Sequence, residues 1–190
     1  MKLPKIRPAD DAELLERCRS GDQYAFSEFV RRYKGTVAST VFGMLGKGSH
    51  AEDVGQEVFI RFFHAIDKFR GDSSISTYLT RIAINLSLNE IKRRKLKRFV
   101  SFDQMIEDGT DLEDPGSDKI MDDDKEIIRK AIQKLSSKHR SVLVLRLIDE
   151  YSTEETAQIL NLPVGTVLSR LSRAQKKLKE ILEPYNLSYE

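Results

Sequence analysis

The chain has 190 residues, 32 Lys/Arg against 30 Asp/Glu, one cysteine, no tryptophan and 33% charged residues. A lone Cys18 excludes an internal disulfide and fits a reducing compartment, and a helical, well-solvated protein suits this balance better than a β-sandwich. No apolar run approaches the roughly 18 residues of a membrane span, and MKLPKIRPADD has no signal-peptide core, so the expectation is a soluble, cytoplasmic protein with no stable membrane insertion.

The first hundred residues read as helices. Asp10 and Glu13 have cap spacing for a helix carrying Leu14, Leu15 and Cys18 and stopping at Gly21. Asp22 starts the next, whose apolar side (Ala25, Phe26, Phe29, Val30, Tyr33) continues through Val37, Val41 and Leu45 to Gly46 and Gly48. Ser49 and Glu52 have the spacing of a capping box, in which each side chain satisfies an orphan amide at the helix start, and open HAEDVGQEVFIRFFHAI. Val54, Val58, Phe62 and Ile66, four apart, face a core with Phe59, leaving Asp53, Gln56, Glu57 and Ile60 together on another face. That face is either a solvated acidic surface or a dock for a basic partner helix.

After DKFRGDSSIS, a loop rich in Gly, Asp and Ser, the segment TYLTRIAINLSLNEIKRRKLKR places Leu79, Ile82, Ala83, Leu86 and Ile91 on one side. Six of the seven residues from Lys92 to Arg98 are basic. Such a run is a solvated helix end or a phosphate contact, and its density favours phosphate, because each neutralised phosphate releases counterions.

Charge is strongly segregated along the chain. Residues 1–100 carry 19 Lys/Arg against 12 Asp/Glu, residues 101–124 one against ten, and residues 125–190 twelve against eight. Two basic regions flank an acidic one, which predicts two nucleic-acid-facing domains joined by a flexible acidic linker without a core of its own. The predicted bounds are 10–99, 100–124 and 125–184.

In the last region, STEETAQILNLPVGTVLSRLSRAQKKLK pairs Ser152 with Glu155 as a second capping box and starts a helix near Thr153. Leu162-Pro163 breaks the periodicity, and Pro163 suits the first turn of a new helix. There Val167, Leu171, Ala174 and Leu178 recur every three or four residues, leaving Thr166, Ser169, Arg170, Arg173, Lys176 and Lys177 mostly on other faces. A helix-turn-helix that lays its second helix in a major groove has this pattern; an αα-hairpin with a solvated charged face has it too.

Taken together, AEDVGQEVF, FRGDSSISTYLTRIAIN and the Pro-Val-Gly-Thr-Val turn, in this order and at these distances, resemble the sigma-70 family, specifically the small extracytoplasmic function (group IV) sigma factors. The resemblance runs from about Asp11 to Leu182 and implies an all-α fold of two small helical domains, regions 2 and 4. It implies that Asp53, Gln56, Glu57 and Ile60 face the clamp helices of the largest subunit of core RNA polymerase, and that region 4 meets the flap of the second-largest subunit. Promoter DNA is the other partner. Arg70, Gly71, Asp72, Ser73, Ser74 and Ser76 would line a pocket for a flipped base of the −10 element, with Tyr78 beside it and Asn85 on the reading helix. Lys92, Arg93, Arg94 and Lys95 would hold nearby phosphates.

Small polar side chains and free amides make physical sense there, since an unstacked base offers edges to bond and a face to cover. Thr166, Ser169, Arg170, Arg173, Lys176 and Lys177 would bind the −35 element as duplex. The acidic linker would thread the polymerase cleft as a mimic of nucleic acid until nascent RNA displaces it, and an anti-sigma factor is the implied regulator.

Three residues depart from the family pattern. Tyr78 stands where many relatives have Trp and can both stack and hydrogen-bond. Gly55, inside a helix where Gly costs about 1 kcal/mol against Ala, predicts close packing or a weaker helix. Leu168 occupies a position often basic in relatives, and leucine cannot bond a guanine edge, so a shifted or weaker −35 preference is expected.

Other classes are less supported by the residues. His50, His64 and His139 are scattered without metal-ligand spacing to Cys18. No phosphate loop, dinucleotide fingerprint or nucleophile elbow is present, and Asp122 to Asp124 lack a framework to hold a metal, so neither catalysis nor a cofactor is expected. A self-sufficient repressor using the same C-terminal motif would instead bind a palindrome tightly as a dimer.

Overall fold

The computed structural model describes residues 10–108 and 124–185, with residues 98–108 as backbone only. The predicted linker segment 109–123, including Asp122 and Asp123, lies outside the described residues. Regular structure among the described residues is entirely helical: α1 (Asp11–Arg19), α2 (Gln23–Leu45), α3 (Ser49–Ala65), α4 (Ile75–Asp108), α5 (Asp124–Lys134), α6 (Ser137–Leu143), a π-helical turn (Val144–Ile148), α7 (Thr153–Leu160) and α8 (Val164–Leu182).

Side chains near in sequence set most helix starts. Asp10 Oδ1 accepts the Glu13 amide at 2.8 Å, and Asp22 Oδ1 accepts those of Tyr24 and Ala25 at 2.9 and 3.2 Å. The Arg17 guanidinium holds the second Asp22 oxygen at 2.8 Å and, with the cap amides, keeps that carboxyl below its ordinary range. One predicted cap does not form. Gly48, at φ 144°, is the N-cap of α3, so Ser49 is already helical and its side chain makes no cap bond; a capping side chain needs the extended backbone of the flanking position. The other predicted box does form. The Ser152 amide donates to Glu155 Oε2 at 2.8 Å and the Glu155 amide to Ser152 Oγ at 3.1 Å. The break before α8 begins one residue ahead of Leu162-Pro163, at Asn161 in the left-handed region (φ 51°), where an Asn is tolerated better than most residues.

Helices α1 to α4 form a bundle around Leu14, Phe29, Val41, Met44, Val58, Phe62, Leu79 and Ile84, all essentially inaccessible. Each such side chain contributes about 1.5–3 kcal/mol of hydrophobic burial. Phe62 is the hub of its aromatic cluster, meeting Phe29 edge-on at 5.6 Å and Phe69 at 6.4 Å. Helix α4 continues to Asp108, over the first residues of the segment read from sequence as linker. In the C-terminal half, Ile132, Leu135, Leu143 and Ala174 make one small core, and Val142, Ala157 and Val167 another.

The two halves are packed against each other, which charge segregation along the chain did not foretell. Val144, Leu145 and Ile159 are buried in the same apolar cluster as α1 to α4. Gly43 of α2 makes this possible, because a Cβ there would lie 2.9 and 3.0 Å from the two Val144 methyls. Arg140, nearly buried, sits at the carbonyl end of α2 and donates to Met44 O at 2.6 Å, as well as to Gln133 O, Gln133 Oε1 and Leu135 O. A helix C-terminus carries unpaired carbonyls and partial negative charge, which a guanidinium satisfies. Burial without a carboxylate lowers this arginine's pKa to about 10. Gln133 adds a bond from Nε2 to Gly43 O at 2.9 Å.

Candidate nucleic-acid interface

Helix α8 presents an open polar face. Val167, Ala174 and Leu182 anchor it, whereas Ser169, Arg173, Lys176 and Lys177 are exposed and Thr166 and Arg170 half-buried. Ser169 Oγ donates to Thr166 O at 3.1 Å, and Lys177 pairs with Glu180 at 3.0 Å. Two residues not predicted for this surface share it: Ser172 is exposed, and Leu168 is 53% exposed. The spacing 165, 168, 169, 172, 173, 176 is itself helical, so the signal was present in the sequence; only the polar members were read from it.

The residues of the −10 group fall into several environments. Arg70, Gly71 and Asp72 are exposed, and Ser73 is half-buried. Ser74 caps α4: its Oγ accepts the Thr77 amide at 3.1 Å and lies 2.9 Å from Thr77 Oγ1. Ser76 lies across the interface, 3.0 Å from the Tyr151 hydroxyl of the other half. Tyr78, expected to stack beside a base, has its ring half-buried against Phe69 at 5.0 Å and Phe62 at 6.1 Å. Asn85 is exposed on α4.

Further along α4, Lys92, Arg93 and Lys95 are exposed and Arg94 half-buried. Arg93 and Arg94 are not free point charges, because Glu90 accepts from Arg93 Nε at 2.7 Å and from Arg94 Nε at 2.8 Å. The Arg93 hydrogen bond, then that of Arg94, pulls the Glu90 carboxyl down to about 2. Reading the run 92–98 as a block of six cations missed this acid two residues upstream.

On α3, Asp53 and Gln56 are exposed, Ile60 is 50% exposed, and Glu57 is held by Arg61 at 2.8 Å. Phe63, one turn beyond Ile60, is 49% exposed and meets Phe26 edge-on at 5.0 Å, extending this face in a way the sequence reading overlooked. Gly55 has no atom within 4 Å of a built Cβ, so of the two expectations, close packing or a weaker helix, close packing is not met among the described residues, and α3 runs through it unbroken. Among the described residues there is no group of three or more His, Cys, Asp or Glu that could hold a metal, and no helix long and apolar enough to cross a membrane.

Two helical modules, one ending in a capped helix-turn-helix with an open basic second helix, define a DNA-reading protein. Residues 29–97 match the family model Sigma-70 region 2, and residues 125–178 match Sigma-70, region 4. The chain is 35% identical over 179 residues to the ECF RNA polymerase sigma factor SigW of Bacillus subtilis, covering 88% of this chain and 94% of that protein. It is 36% identical over 183 residues to the ECF RNA polymerase sigma-E factor of Escherichia coli K12, covering 92% and 95%. Among solved structures, CnrH in complex with the cytosolic domain of CnrY is similar at a TM-score of 0.63 and 26% identity, covering 90% of this chain and 96% of that one. The sigma factor RpoE, solved with the anti-sigma factor NepR from Bartonella quintana, shares the fold at a TM-score of 0.66 and 24% identity, covering 83% and 96%. The chain belongs to the extracytoplasmic function sigma factors of the sigma-70 family.

Proposed function

We propose that this chain, as a group IV member acting in the cytoplasm and without catalysis of its own, docks on core RNA polymerase and directs initiation at promoters through separate −35 and −10 contacts. The observation that carries the reading is the outward face of α8, where Ser169, Arg173, Lys176 and Lys177 stand exposed behind a fully formed capping box. Phosphate contacts from such a helix fix register, while its N-terminal half reaches base edges. Residues 10–99 form the module for polymerase docking and the −10 element, 125–184 that for the −35 element, and 100–124 the acidic connection.

Within the first module, Asp53, Gln56 and Ile60 offer the clamp helices two polar groups around an exposed apolar side chain, with Glu57 and Phe63 beside them. Asn85 is exposed on α4 for a separated strand, with Arg70 to Asp72 exposed in the loop before that helix and Lys92 to Lys95 further along it for phosphates. An anti-sigma protein is the inferred regulator, supported by the family resemblance.

Transcription in vitro with core polymerase, with and without the chain, tests the function. Promoter-directed starts should appear only with the chain; their absence on every genomic template would sink the reading. Asn85→Ala should impair strand opening while leaving −35 duplex binding intact, and a loss of polymerase binding instead would show the roles to be misassigned.

A further inference from the structure

We propose that Arg19, the last residue of α1, is a positioning residue for the loop Arg70 to Ser73: its guanidinium fixes the carbonyls at which the chain leaves α3, and so sets where that loop meets a separated strand. This rests on the reading above that the loop and α4 serve the −10 element. Arg19 acts through the loop rather than on the nucleic acid.

Helix α3 closes in a 3-10 turn, Ile66–Lys68, and at Phe69 the backbone becomes extended (φ −70°, ψ 114°). A helix end leaves carbonyls with no amide of their own helix to accept from. The Phe69 amide reaches Ile66 O at a long 3.3 Å, and the further donor comes from another helix. Arg19 Nε donates to Ile66 O at 3.3 Å, and Arg19 Nη2 donates to Phe69 O, across 47 and 50 residues of chain. Glu16, one turn back on α1, accepts from Arg19 Nη1 at 2.6 Å and sets the plane of the fork. An exposed pair of this kind adds little stability by itself, so its use is orientation.

Phe69 is thereby held at both its ring and its backbone. The ring is buried and meets Tyr78 at 5.0 Å and Phe62 at 6.4 Å, while the carbonyl lies on Arg19. At the far end of the loop, Ser74 Oγ accepts the Thr77 amide at the start of α4. Between these two fixed points Arg70, Gly71 and Asp72 are exposed and Ser73 is half-buried, and Gly71 turns the chain at φ 80°. A span this short takes its course from where it is tied. Ser74 ties one end from the adjoining sequence, and Arg19 ties the other from a different helix.

Helix α1 is a braced support for that tie. Leu14, Leu15 and Cys18 bury one side of it, Asp10 caps its start, Arg32 of α2 holds Asp11 at 2.5 Å, and Arg17 holds Asp22 at 2.8 Å. The guanidinium therefore projects from a fixed base. A lysine would not substitute, because an ammonium is a point donor on a flexible stem whereas the planar fork spans two carbonyls.

The full chain, alone and on core RNA polymerase, tests this with Arg19→Gln and Arg19→Lys. Trypsin cuts after Arg70 and so reports the order of the loop directly. Fragments identified by mass should show that cut about 10-fold faster in Arg19→Gln, because cleavage tracks the population of the loosened loop. On the holoenzyme, permanganate reactivity of the −10 thymines should appear about 10-fold more slowly, the factor that loss of a charged hydrogen bond represents. Affinity for polymerase and for the −35 duplex should stay at the wild-type level. Arg19→Lys should regain wild-type thermal stability and helix content by circular dichroism but not the wild-type opening rate. If Arg19→Gln fails to fold, Arg19→Lys decides. Wild-type cleavage at Arg70, full recovery of opening by Arg19→Lys, or a loss of polymerase affinity equal to the loss of opening would each overturn the proposal. If the wild-type holoenzyme opens promoters and Arg19→Gln opens them equally fast, this proposal alone fails; if the wild type opens none, the initiation reading fails and takes this one with it.

Discussion

The two surfaces proposed to face DNA differ in how they are held. The α8 face stands on a helix whose apolar stripe is buried within its own half, and among the described residues its outer side chains Ser169, Arg173, Lys176 and Lys177 stay exposed. The α4 edge has Tyr151 of the other half seated on Ser76 and Thr80, and two of its basic residues are tied to Glu90. A duplex reader needs only an exposed, charged helix. A reader of a separated strand needs small polar groups and free amides, and such groups left exposed bond readily to whatever packs on them. The same chemistry that would receive a base receives Tyr151 instead.

The largest expected effect comes from removing what joins the halves. Arg140→Ala strips the carbonyls of Met44, Gln133 and Leu135 of a charged donor, and should lower the stability of the whole chain by about 3 kcal/mol in urea denaturation. Loss of a single cooperative transition in favour of two would show that the halves fold separately once this anchor is gone. Next, Arg173→Ala should weaken duplex binding at the −35 element by about 1–3 kcal/mol, measured as holoenzyme affinity for an upstream fragment, and flatten its salt dependence. No change would remove Arg173 from the proposed DNA contact.

The tie between Glu90 and its two arginines gives a pH test of the other surface. Its folded pKa, about 2, lies below the ordinary 4.5, so its contribution is fully present above 4.5 and is lost as pH falls toward 2. Acid denaturation should therefore show Glu90→Gln already weakened at neutral pH and less sensitive than the wild type between those values. Parallel curves would mean that Arg93 and Arg94 do not hold Glu90 in solution.

The smallest effect sharpens the α8 face. Leu168, exposed among polar neighbours, has an aliphatic end suited to a thymine methyl in the major groove. Replacing thymine by uracil at the contacted position of the −35 element removes that one methyl. Binding should weaken by about 0.8 kcal/mol, roughly fourfold, in the wild type and not in Leu168→Ala.

Local signals in the sequence were dependable where the physics is local. Asp10, Asp22 and Ser152 cap as their spacing says, since a cap needs only a side-chain oxygen within three residues of an amide. Ser49 failed on the same logic, because the glycine before it took the flanking position. The apolar stripes of α2, α3, α4 and α8 named their buried sides correctly. Helices α5 and α6 and the π turn went unread: Val142 to Leu145 are apolar in succession and all buried, so no stripe stands out against a polar face.

What the sequence determined by itself is a set of capped amphipathic helices, a basic helix-turn-helix, and motifs in an order that marks the family. What only the tertiary structure decided is which of those surfaces meet. Asp149 finds Ser39 and Thr40, and Tyr151 finds Ser76 and Thr80, across more than 70 residues of chain. No periodicity records such a pairing, because helical patterns report contacts three and four residues apart. A carboxylate and a phenol in a turn look solvated until another helix is laid against them.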